Sequence, residues 1–282
     1  MKFSIITINY NNLNGLKKTV DSVLCQDFED FEFIIIDGDS IDGSAEYLVE
    51  NQAYFSYWVS EPDAGIYDAL NKGILASTGD YLFFLNSGDW LYSSEILKAI
   101  SQNILCGRDI YYGDVMLQFL DREMLYNYPR DLRFSYFFNG TICHQAMIIS
   151  KKLFSEVGLY NTDYTIISDW EFILKAIFIH QSSYKKLDIV FSNYDMSGVS
   201  SQSQNRTQIR NDRKVILKQL FPGFVQDYQE YIDNRNTINK IDRLLGSSFY
   251  KALNRPKATK IFKAFFNAFD FAYDVFVGLK IK

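Results

Sequence analysis

Short, continuous apolar runs alternate with amphipathic stretches over the first ninety residues of the chain. The runs predict strands that are buried on both faces of a sheet, because such strands read as unbroken apolar segments. In the first stretch between runs, Leu16, Val20, Val23 and Leu24 recur at helical spacing, and two later stretches behave alike. The predicted strands cover residues 2–8, 32–36, 54–59 and 80–85, and a helix follows each of the first three.

Strand and helix in regular alternation indicate a parallel sheet with helices on both faces, which is an α/β fold of Rossmann-like type. The later chain is less regular. Further strands are predicted at 110–119, 142–149 and 184–192, a helix at 169–179, and a helical, charged extension from Arg206 onward. We therefore expect one catalytic domain over residues 1–200, with halves at 1–100 and 101–200, and a helical C-terminal extension over 201–282.

Each of the first four strands ends in polar residues, which read "NYNN", "DGDSIDGS", "SEPDAG" and "NSGD". In a parallel sheet these four corners lie along one edge, where α/β proteins bind ligands. Converging carboxylates repel one another, so a cation or ligand donors must offset their charge, and hard oxygen ligands suit Mg²⁺ or Mn²⁺. Any one corner alone is equally well an ordinary turn. The residues expected to converge are Asn9, Asp37, Asp39, Asp63 and Asp89.

Four ordered segments resemble the successive motifs of the family 2 glycosyltransferases with the GT-A fold. They read "SIITINYNN", "FIIIDGDSIDGS", "EPDAGIYDALNKGI" and "GDYLFFLNSGDW", and the likeness is close over about the first 90 residues and looser to about residue 195. The resemblance implies an inverting transferase that uses a nucleotide-diphosphate sugar and a divalent metal, Mn²⁺ or Mg²⁺. It also implies that residues 1–100 bind the nucleotide-sugar and residues 101–200 the acceptor.

The resemblance assigns roles in nucleotide binding to the polar corners. Asp37 matches the acid that hydrogen-bonds the base, and Asp39 lies beside it in the nucleotide pocket. The remaining positions implied to border the nucleotide-sugar are Thr7, Asn9, Glu61, Asp63 and Ser87.

Asp89 matches the last acid of the family's D-x-D motif, and the resemblance implies that it holds the metal. The first acid of that motif is Ser87 in this chain, so one motif carboxylate remains. This departure puts strict metal dependence in question.

Asp169 resembles the second acid of the family's E-D motif, which implies that it is the catalytic base. Ser168 stands in place of the usual Glu, and Glu171 is the alternative base. The competing interpretation of Asp169 is a first-turn acid that is favoured by the helix dipole. His144 and Gln145 resemble an H-Q pair that the family often carries near acceptor and diphosphate, although a lone His before a strand is as often structural.

Composition narrows the class of protein. The chain has 282 residues and a net charge of −5, with 48% apolar and 22% charged residues, which is typical of an ordered globular protein. Its three cysteines, Cys25, Cys106 and Cys143, are too far apart for a metal cluster or a disulfide framework, which favours a reducing compartment. The chain opens without a secretory signal, and no run approaches a membrane span of roughly 18 apolar residues. We expect a cytoplasmic protein.

The charge is unevenly distributed. Residues 1–100 hold 5 basic and 16 acidic side chains, a balance of −11, whereas residues 201–282 hold 15 and 7, a balance of +8. Within that basic part, residues 257–277 carry polar side chains at three- and four-residue intervals opposite a Phe-rich face. This pattern predicts a helix lying peripherally on the inner face of the cell membrane. The alternative is a helix packed on the body of the protein or on a second subunit in a homodimer.

The sequence therefore predicts a glycosyltransferase that moves a sugar, UDP-linked by preference, to a hydroxyl of a glycan. The resemblance and the tail together suggest a lipid-linked acceptor in bacterial surface polysaccharide synthesis, as for O-antigen, and no nucleic acid partner. Two alternatives remain open at this point. One is a nucleotidyltransferase that makes activated sugars, although "NYNNLNG" lacks the expected glycines and basic residue. The other is a non-catalytic nucleotide-sugar-binding protein.

Overall fold

The computed structural model describes residues 2–104, 107–138, 140–198 and 203–227, together with 230, 232–233 and 235–236. The chain divides into two compact units, Met1–Ile216 and Leu217–Lys282. The sheet and the polar corners belong to the first unit. Cys106 and the predicted amphipathic segment 257–277 lie outside the described residues.

The first ninety residues form strands and helices in the predicted order. Strand β3 starts later than predicted, because Gln52–Tyr54 form a 3₁₀ turn before it. The elements are β1 (Phe3–Asn9), α1 (Leu13–Leu24), β2 (Phe31–Asp37), α2 (Ser44–Glu50), β3 (Tyr57–Ser60), α3 (Ile66–Ala76) and β4 (Tyr81–Phe84).

The later chain contains the predicted strands at 110–119 and 184–192, the second of which extends to Asp195. The strand predicted at 142–149 begins only at Met147, because His144–Ala146 form a 3₁₀ turn. Five elements here were not predicted: β5, β7, α4, α5 and α6. The elements are β5 (Trp90–Leu91), α4 (Ile96–Asn103), β6 (Ile110–Gln118), β7 (Glu123–Tyr126), α5 (Phe134–Phe137), β8 (Met147–Ser150), α6 (Lys151–Val157), α7 (Ser168–Leu174), β9 (Tyr184–Asp195) and α8 (Arg206–Leu220).

The nine strands of the described residues form one sheet in the order β3-β2-β1-β4-β8-β6-β9-β5, with β7 paired to β6. The four early strands are parallel, as predicted, while β8 is antiparallel to both β4 and β6. Strand β5 pairs antiparallel with β9. The α/β fold is confirmed, and the antiparallel pairs of the second half are an addition to the mostly parallel sheet that we expected.

Both faces of the early sheet are covered, which explains its continuous apolar runs. Phe3 and Ile5 of β1 belong to the buried core on the side of α1 and its Leu16, and both are fully buried. On the other face α3 approaches so closely that a Cβ at Gly73 would collide with Ile6. Each large apolar side chain buried in this way contributes about 1.5–3 kcal/mol.

A buried polar network fastens the opposite, amino-terminal edge of the sheet. Glu32 is 5% exposed and accepts hydrogen bonds from the Ser4 hydroxyl (2.6 Å) and the Gly79 amide (3.0 Å), and Lys2 forms an ion pair with it at 2.9 Å. Burial disfavours its charge, but these bonds and those from Thr78 outweigh burial and lower the pKa of Glu32 to about 2. The carboxylate therefore joins β1, β2 and the turn before β4.

A second polar link joins α3 to the segment that precedes α7. The side-chain amide of Asn71 donates to the Tyr160 carbonyl at 2.8 Å and accepts from the Tyr160 amide at 3.0 Å. Asn71 is 9% exposed, so both bonds are shielded from water. Among the described residues, no helix has the length and apolar character needed to cross a membrane.

Candidate active site

The four polar corners open into one cavity of about 990 Å³ at the carboxyl ends of the early strands. Its other walls come from the segments before β8, at the start of α7 and after β9. Parallel strands expose their carboxyl ends at a common edge, which is why motifs distant in sequence meet here. The predicted residues that line the cavity are Asn9, Asp39, Asp63, Ser87, Asp89, His144, Gln145 and Asp169.

Thr7, Asp37 and Glu61 do not line this cavity. Thr7 is fully buried and its hydroxyl donates to the Leu85 carbonyl at 2.7 Å, so it ties β1 to the end of β4. The Glu61 side chain is 49% exposed and pairs with Lys72 at 2.8 Å on the outer surface of α3. These two side chains thus make structural contacts, and their predicted contact with the nucleotide stays a prediction.

Asp37 is likewise enclosed, with no exposed surface. Its carboxylate accepts hydrogen bonds from Asn9 Nδ2 (2.6 Å), the Ser40 hydroxyl (2.6 Å) and amide (3.0 Å), and the Ser60 hydroxyl (2.6 Å). The predicted contact of Asp37 with the base stays a prediction. Asp37 shapes the loop after β2 and fixes Asn9 and Ser60, which end the strands on either side.

Asp39 and Asp63 are the acids that these corners present to the cavity. Asp39 is exposed and has a φ of 63°, a left-handed conformation that Asp tolerates in tight turns. Asp63 is half-buried and accepts the Gly65 amide at 2.8 Å. Gly38 lies against the Asp63 carboxylate, so the loops after β2 and β3 are in contact.

Asp89 lies deeper, with 4% of its surface exposed. Its Oδ1 accepts the Asp195 amide at 2.8 Å and its Oδ2 accepts Gln145 Nε2 at 2.6 Å. Burial raises the pKa of Asp89 to about 7, although these two hydrogen bonds oppose the shift. Its loop is held by Thr19 of α1, whose hydroxyl donates to the Asp89 carbonyl at 2.6 Å. Ser87 in the same loop donates to the Asn12 carbonyl at 3.2 Å.

Asp169 lies in the first turn of α7 and is held by three partners. Oδ1 accepts the Tyr67 hydroxyl and the Trp170 amide, both at 2.9 Å, and Oδ2 lies 3.2 Å from His144 Nδ1. Burial, followed by the charge of Asp169, raises the pKa of Tyr67 well above its usual value, so this phenol stays protonated and donates. Glu171, the alternative base, forms an ion pair with Lys175 at 2.7 Å and does not line the cavity.

His144 and Gln145 connect the two acids. His144 contacts Asp169 while the next residue, Gln145, contacts Asp89, because the 3₁₀ turn sends the two side chains to neighbouring parts of the cavity. Among the described residues, His144 Nε2 and Gln145 Oε1 are buried without a hydrogen-bond partner, and so is Oδ1 of the cavity residue Asn86. Buried polar atoms are rarely left unpaired, so these three atoms mark where a ligand would bind.

The same atoms fit a divalent cation. Asp89 has neutral hydrogen-bond donors but no ion pair within the described part of the chain, and Gln145 Oε1 and Asn86 Oδ1 lie in the same cavity wall. Carboxylate and amide oxygens are ligands that Mg²⁺ and Mn²⁺ accept. The described residues contain no group of three or more His, Cys, Asp or Glu suited to holding a metal. Any cation here would therefore depend on few carboxylates and share its coordination with a substrate.

Three cavity residues were missed by the sequence reasoning. Tyr67 lies in a motif that we recognised, but its contact with Asp169 spans 102 residues and has no local signal. Asp195 ends β9 and follows the rule that revealed the other corners, but that strand was predicted to stop at residue 192. Arg213 of α8 lies over the Trp170 ring, 5.0 Å from its centre, and no motif marks it.

Comparison with known proteins gives the family. Residues 4–158, which include the four corners, Asp89, His144 and Gln145, match the family described as Glycosyl transferase family 2. The chain belongs to glycosyltransferase family 2. The resemblance seen in the sequence is therefore confirmed, and the chain is a glycosyltransferase.

Curated relatives support the same family. This glycosyltransferase is 36% identical over 207 residues to an uncharacterized glycosyltransferase of Mycobacterium tuberculosis (strain H37Rv), covering 71% of this chain and 78% of the relative. It is 30% identical over 203 residues to a PGL/p-HBAD biosynthesis glycosyltransferase of Mycobacterium bovis (strain BCG), covering 70% and 77%.

Solved structures show the same fold. The family 2 chain is similar to S. aureus TarS 1–349, with a TM-score of 0.58 at 18% identity, covering 69% of this chain and 60% of TarS 1–349. It is also similar to the mannosyltransferase PcManGT from Pyrobaculum calidifontis, solved with GDP-Man and Mn²⁺, with a TM-score of 0.54 at 15% identity and coverage of 74% and 60%. This likeness confirms the GT-A architecture.

Proposed function

We propose that this glycosyltransferase moves a sugar from a nucleotide-diphosphate sugar to a hydroxyl of a glycan acceptor, with inversion at the anomeric carbon. The observation that carries the proposal is the bridge made by consecutive residues. His144 contacts Asp169 and Gln145 contacts Asp89, so a carboxylate suited to accept a proton and one suited to a cation face one cavity.

Asp169 is the general base in this proposal. Inversion by single displacement requires a base that takes the proton of the acceptor hydroxyl as that oxygen attacks. The three partners of Asp169 fix the orientation of its carboxylate in the first turn of α7. No nucleophilic side chain is needed, because the acceptor oxygen attacks the anomeric carbon directly.

In this proposal, the role of Asp89 is to hold the cation that would stabilise the leaving diphosphate. Asp89 would hold a divalent cation together with amide oxygens of Gln145 and Asn86, whose unpartnered atoms lie in the same wall. Such a cation supplies positive charge that stabilises a departing diphosphate. The chain's own contribution is to hold Asp89 rigidly, through Thr19 and the Asp195 amide, and to keep the carboxylate out of bulk water.

The nucleotide is assigned to the corner formed by Asp39 and Asp63, whose carboxylates are open to hydrogen-bond donors of a base and ribose. A UDP-linked donor is favoured because TarS, which has the same fold, was solved in complexes with UDP and with UDP-GlcNAc. A glycan acceptor carried on a lipid fits the relative in PGL/p-HBAD biosynthesis by analogy. We assign the activity to bacterial surface polysaccharide synthesis.

The sequence pattern of the C-terminal segment also suggests how the enzyme reaches its acceptor. The amphipathic, Lys-containing segment 257–277 would bring the enzyme to an anionic membrane surface, where a lipid-linked acceptor resides. A vesicle co-sedimentation assay with the full chain and a chain truncated after residue 250 tests this. Equal sedimentation of both chains with anionic vesicles contradicts it.

The catalytic proposal is tested with Asp169→Asn. We expect turnover to fall by about 10²–10⁴-fold, the range for removal of a general base. Binding of UDP-GlcNAc with Mn²⁺, followed by thermal shift, should stay within twofold of the unmodified protein. Asp163→Asn, which removes the same charge at an exposed site a few residues away, is the matched control and should change neither.

Two outcomes contradict the proposal. Full activity of Asp169→Asn would favour the alternative of a non-catalytic binding protein. Absence of a thermal shift with UDP-, GDP- and dTDP-sugars alike, with or without Mn²⁺, would remove the nucleotide-sugar donor altogether. The nucleotidyltransferase alternative is already disfavoured by the family assignment.

A further inference from the structure

Asp195 lies directly beside Asp89, although 106 residues separate them in the chain. The antiparallel pairing of β5 with β9 places Asn193 opposite Trp90 and Ser192 opposite Leu91. The end of β9 therefore reaches the loop that carries Asp89. There the Asp195 amide donates to Asp89 Oδ1 at 2.8 Å.

The Asp195 carboxylate shares this location. Its Oδ2 lies 3.6 Å from the position that a Cβ of Gly88 would take, and its Oδ1 accepts the Ser197 amide at 2.9 Å. Both Asp89 and Asp195 line the cavity. Two acids thus face the same space from opposite sides of one short strand pair.

Neither carboxylate forms an ion pair with a described Lys, Arg or His. The hydrogen bonds to them come from neutral donors, the backbone amides and the Gln145 side chain. Lys18 is close enough to interact electrostatically with both acids, but its ammonium lies over the Trp90 ring, 3.0 Å from the centre, on an exposed part of α1. Two neighbouring carboxylates without an ion-paired side chain favour a cation from solution.

Gln145 gives an independent indication of a ligand. It is 3% exposed, its Nε2 binds Asp89, and its Oε1 has no hydrogen-bond partner among the described residues. A buried, unpaired amide oxygen beside the Asp89 carboxylate lacks a positive partner. A hard cation satisfies all three oxygen groups together.

We propose that Asp195 supplies the second carboxylate of the divalent-cation site, in place of the motif acid that Ser87 replaces. This inference rests on the proposed function, because the cation is the one that serves the donor diphosphate. Ser87 cannot act as a carboxylate, and its hydroxyl donates to the Asn12 carbonyl. The acid absent from the loop after β4 is thus provided by the end of β9.

The experiment measures Mn²⁺ binding directly, by electron paramagnetic resonance of free Mn²⁺ titrated with the full chain in the presence of UDP. Asp195→Asn should weaken Mn²⁺ binding about tenfold or more, since a site with few carboxylates loses one. Asp188→Asn removes the same charge from an exposed position on the same strand and should leave the affinity unchanged. Thermal melting without metal checks that each variant is folded.

The decisive variant is the double substitution Ser87→Asp with Asp195→Asn. If Asp195 replaces the motif acid, restoring that acid at position 87 should recover most of the lost Mn²⁺ affinity. Unchanged affinity in folded Asp195→Asn, or a loss that Ser87→Asp does not recover, overturns the inference. Absence of Mn²⁺ binding by the unmodified chain also overturns it, while sugar transfer in the presence of a chelator would leave the proposed transferase standing.

Discussion

The Tyr67 hydroxyl donates a hydrogen bond of 2.9 Å to Oδ1 of Asp169. Tyr67 lies in the first turn of α3, after the third strand corner, whereas Asp169 lies in the first turn of α7, much later in the chain. The proposed base is therefore oriented by an element that belongs to the opposite side of the cavity. This contact makes Tyr67 a positioning residue, and it is open to test without altering any charge.

Removing this hydrogen bond with Tyr67→Phe should lower kcat by about 10- to 100-fold and leave the donor KM unchanged. The reason is that a hydrogen bond to a charged group contributes about 1.5–3 kcal/mol, and here it fixes the carboxylate rather than the donor. Steady-state kinetics provides the measurement. Tyr160→Phe is the matched control, because Tyr160 is also buried, its ring lies 5.6 Å from that of Tyr67, and its hydroxyl has no partner among the described residues. Equal effects of the two substitutions would refute the positioning role.

Arg213 offers a second prediction, on the acceptor. Burial lowers the pKa of Arg213, which the charge of Asp169 opposes, and its buried Nε lacks a hydrogen-bond partner within the described residues. A cation in this setting, over Trp170 and next to the base, favours an anionic substrate group. We expect Arg213→Gln to raise the acceptor KM about tenfold, consistent with loss of one charge-assisted bond.

The control for Arg213 is Arg210→Gln, an exposed position one turn earlier on α8. Arg210→Gln should have the same acceptor KM as the unmodified enzyme, measured with an acceptor that the enzyme glycosylates. A rise confined to the donor KM in Arg213→Gln would place the guanidinium against the donor and contradict the prediction.

The lowered pKa of Glu32 predicts that the stability of the fold depends on pH, independently of catalysis. The pKa of Glu32 in the folded protein is about 2, below its ordinary value of 4.5. The ionised carboxylate therefore stabilises the fold fully above pH 4.5, and this contribution is lost as pH falls toward 2. Glu32→Gln should lower the free energy of unfolding by about 3 kcal/mol at pH 7.

Urea unfolding at pH 7 and at pH 3 measures the effect. The difference in free energy of unfolding between the unmodified protein and Glu32→Gln should be smaller at pH 3, because the stabilisation by the ionised carboxylate decreases as the pH approaches the pKa of about 2. Glu29→Gln, at an exposed position just before β2, should show no gap at either pH. A gap for Glu32→Gln that is the same at both pH values would assign the loss to packing rather than to charge.

Periodicity was sufficient for the early fold and for the meeting of the four corners, because continuous apolar strands followed by polar turns have few other arrangements. It could not decide which acid in a turn lines the cavity. Asp37 and Asp39 are two residues apart in the same corner, yet the first is enclosed by Asn9, Ser40 and Ser60 while the second is exposed. That choice depends on the backbone conformation of the loop, which the residue pattern does not encode.

The second half of the fold was harder to predict for a different reason. Its short strands, β5 and β7, carry too few residues to show a period and form only by pairing with β9 and β6. The length of β9 likewise depends on its neighbours. Since the sequence pattern ended that strand three residues early, Asp195 was not recognised as a corner acid.

The side-chain amide of Asn71 binds the Tyr160 backbone through both its nitrogen and its oxygen. One helical turn earlier on α3, Tyr67 adds a second cross-link through its hydrogen bond to Asp169. Opening the cavity on this side would leave several shielded polar groups unpaired, at about 1–3 kcal/mol each. This side of the cavity is therefore held rigidly. We therefore expect any movement that admits the sugar donor or the acceptor to occur on a side of the cavity that these bonds do not hold together.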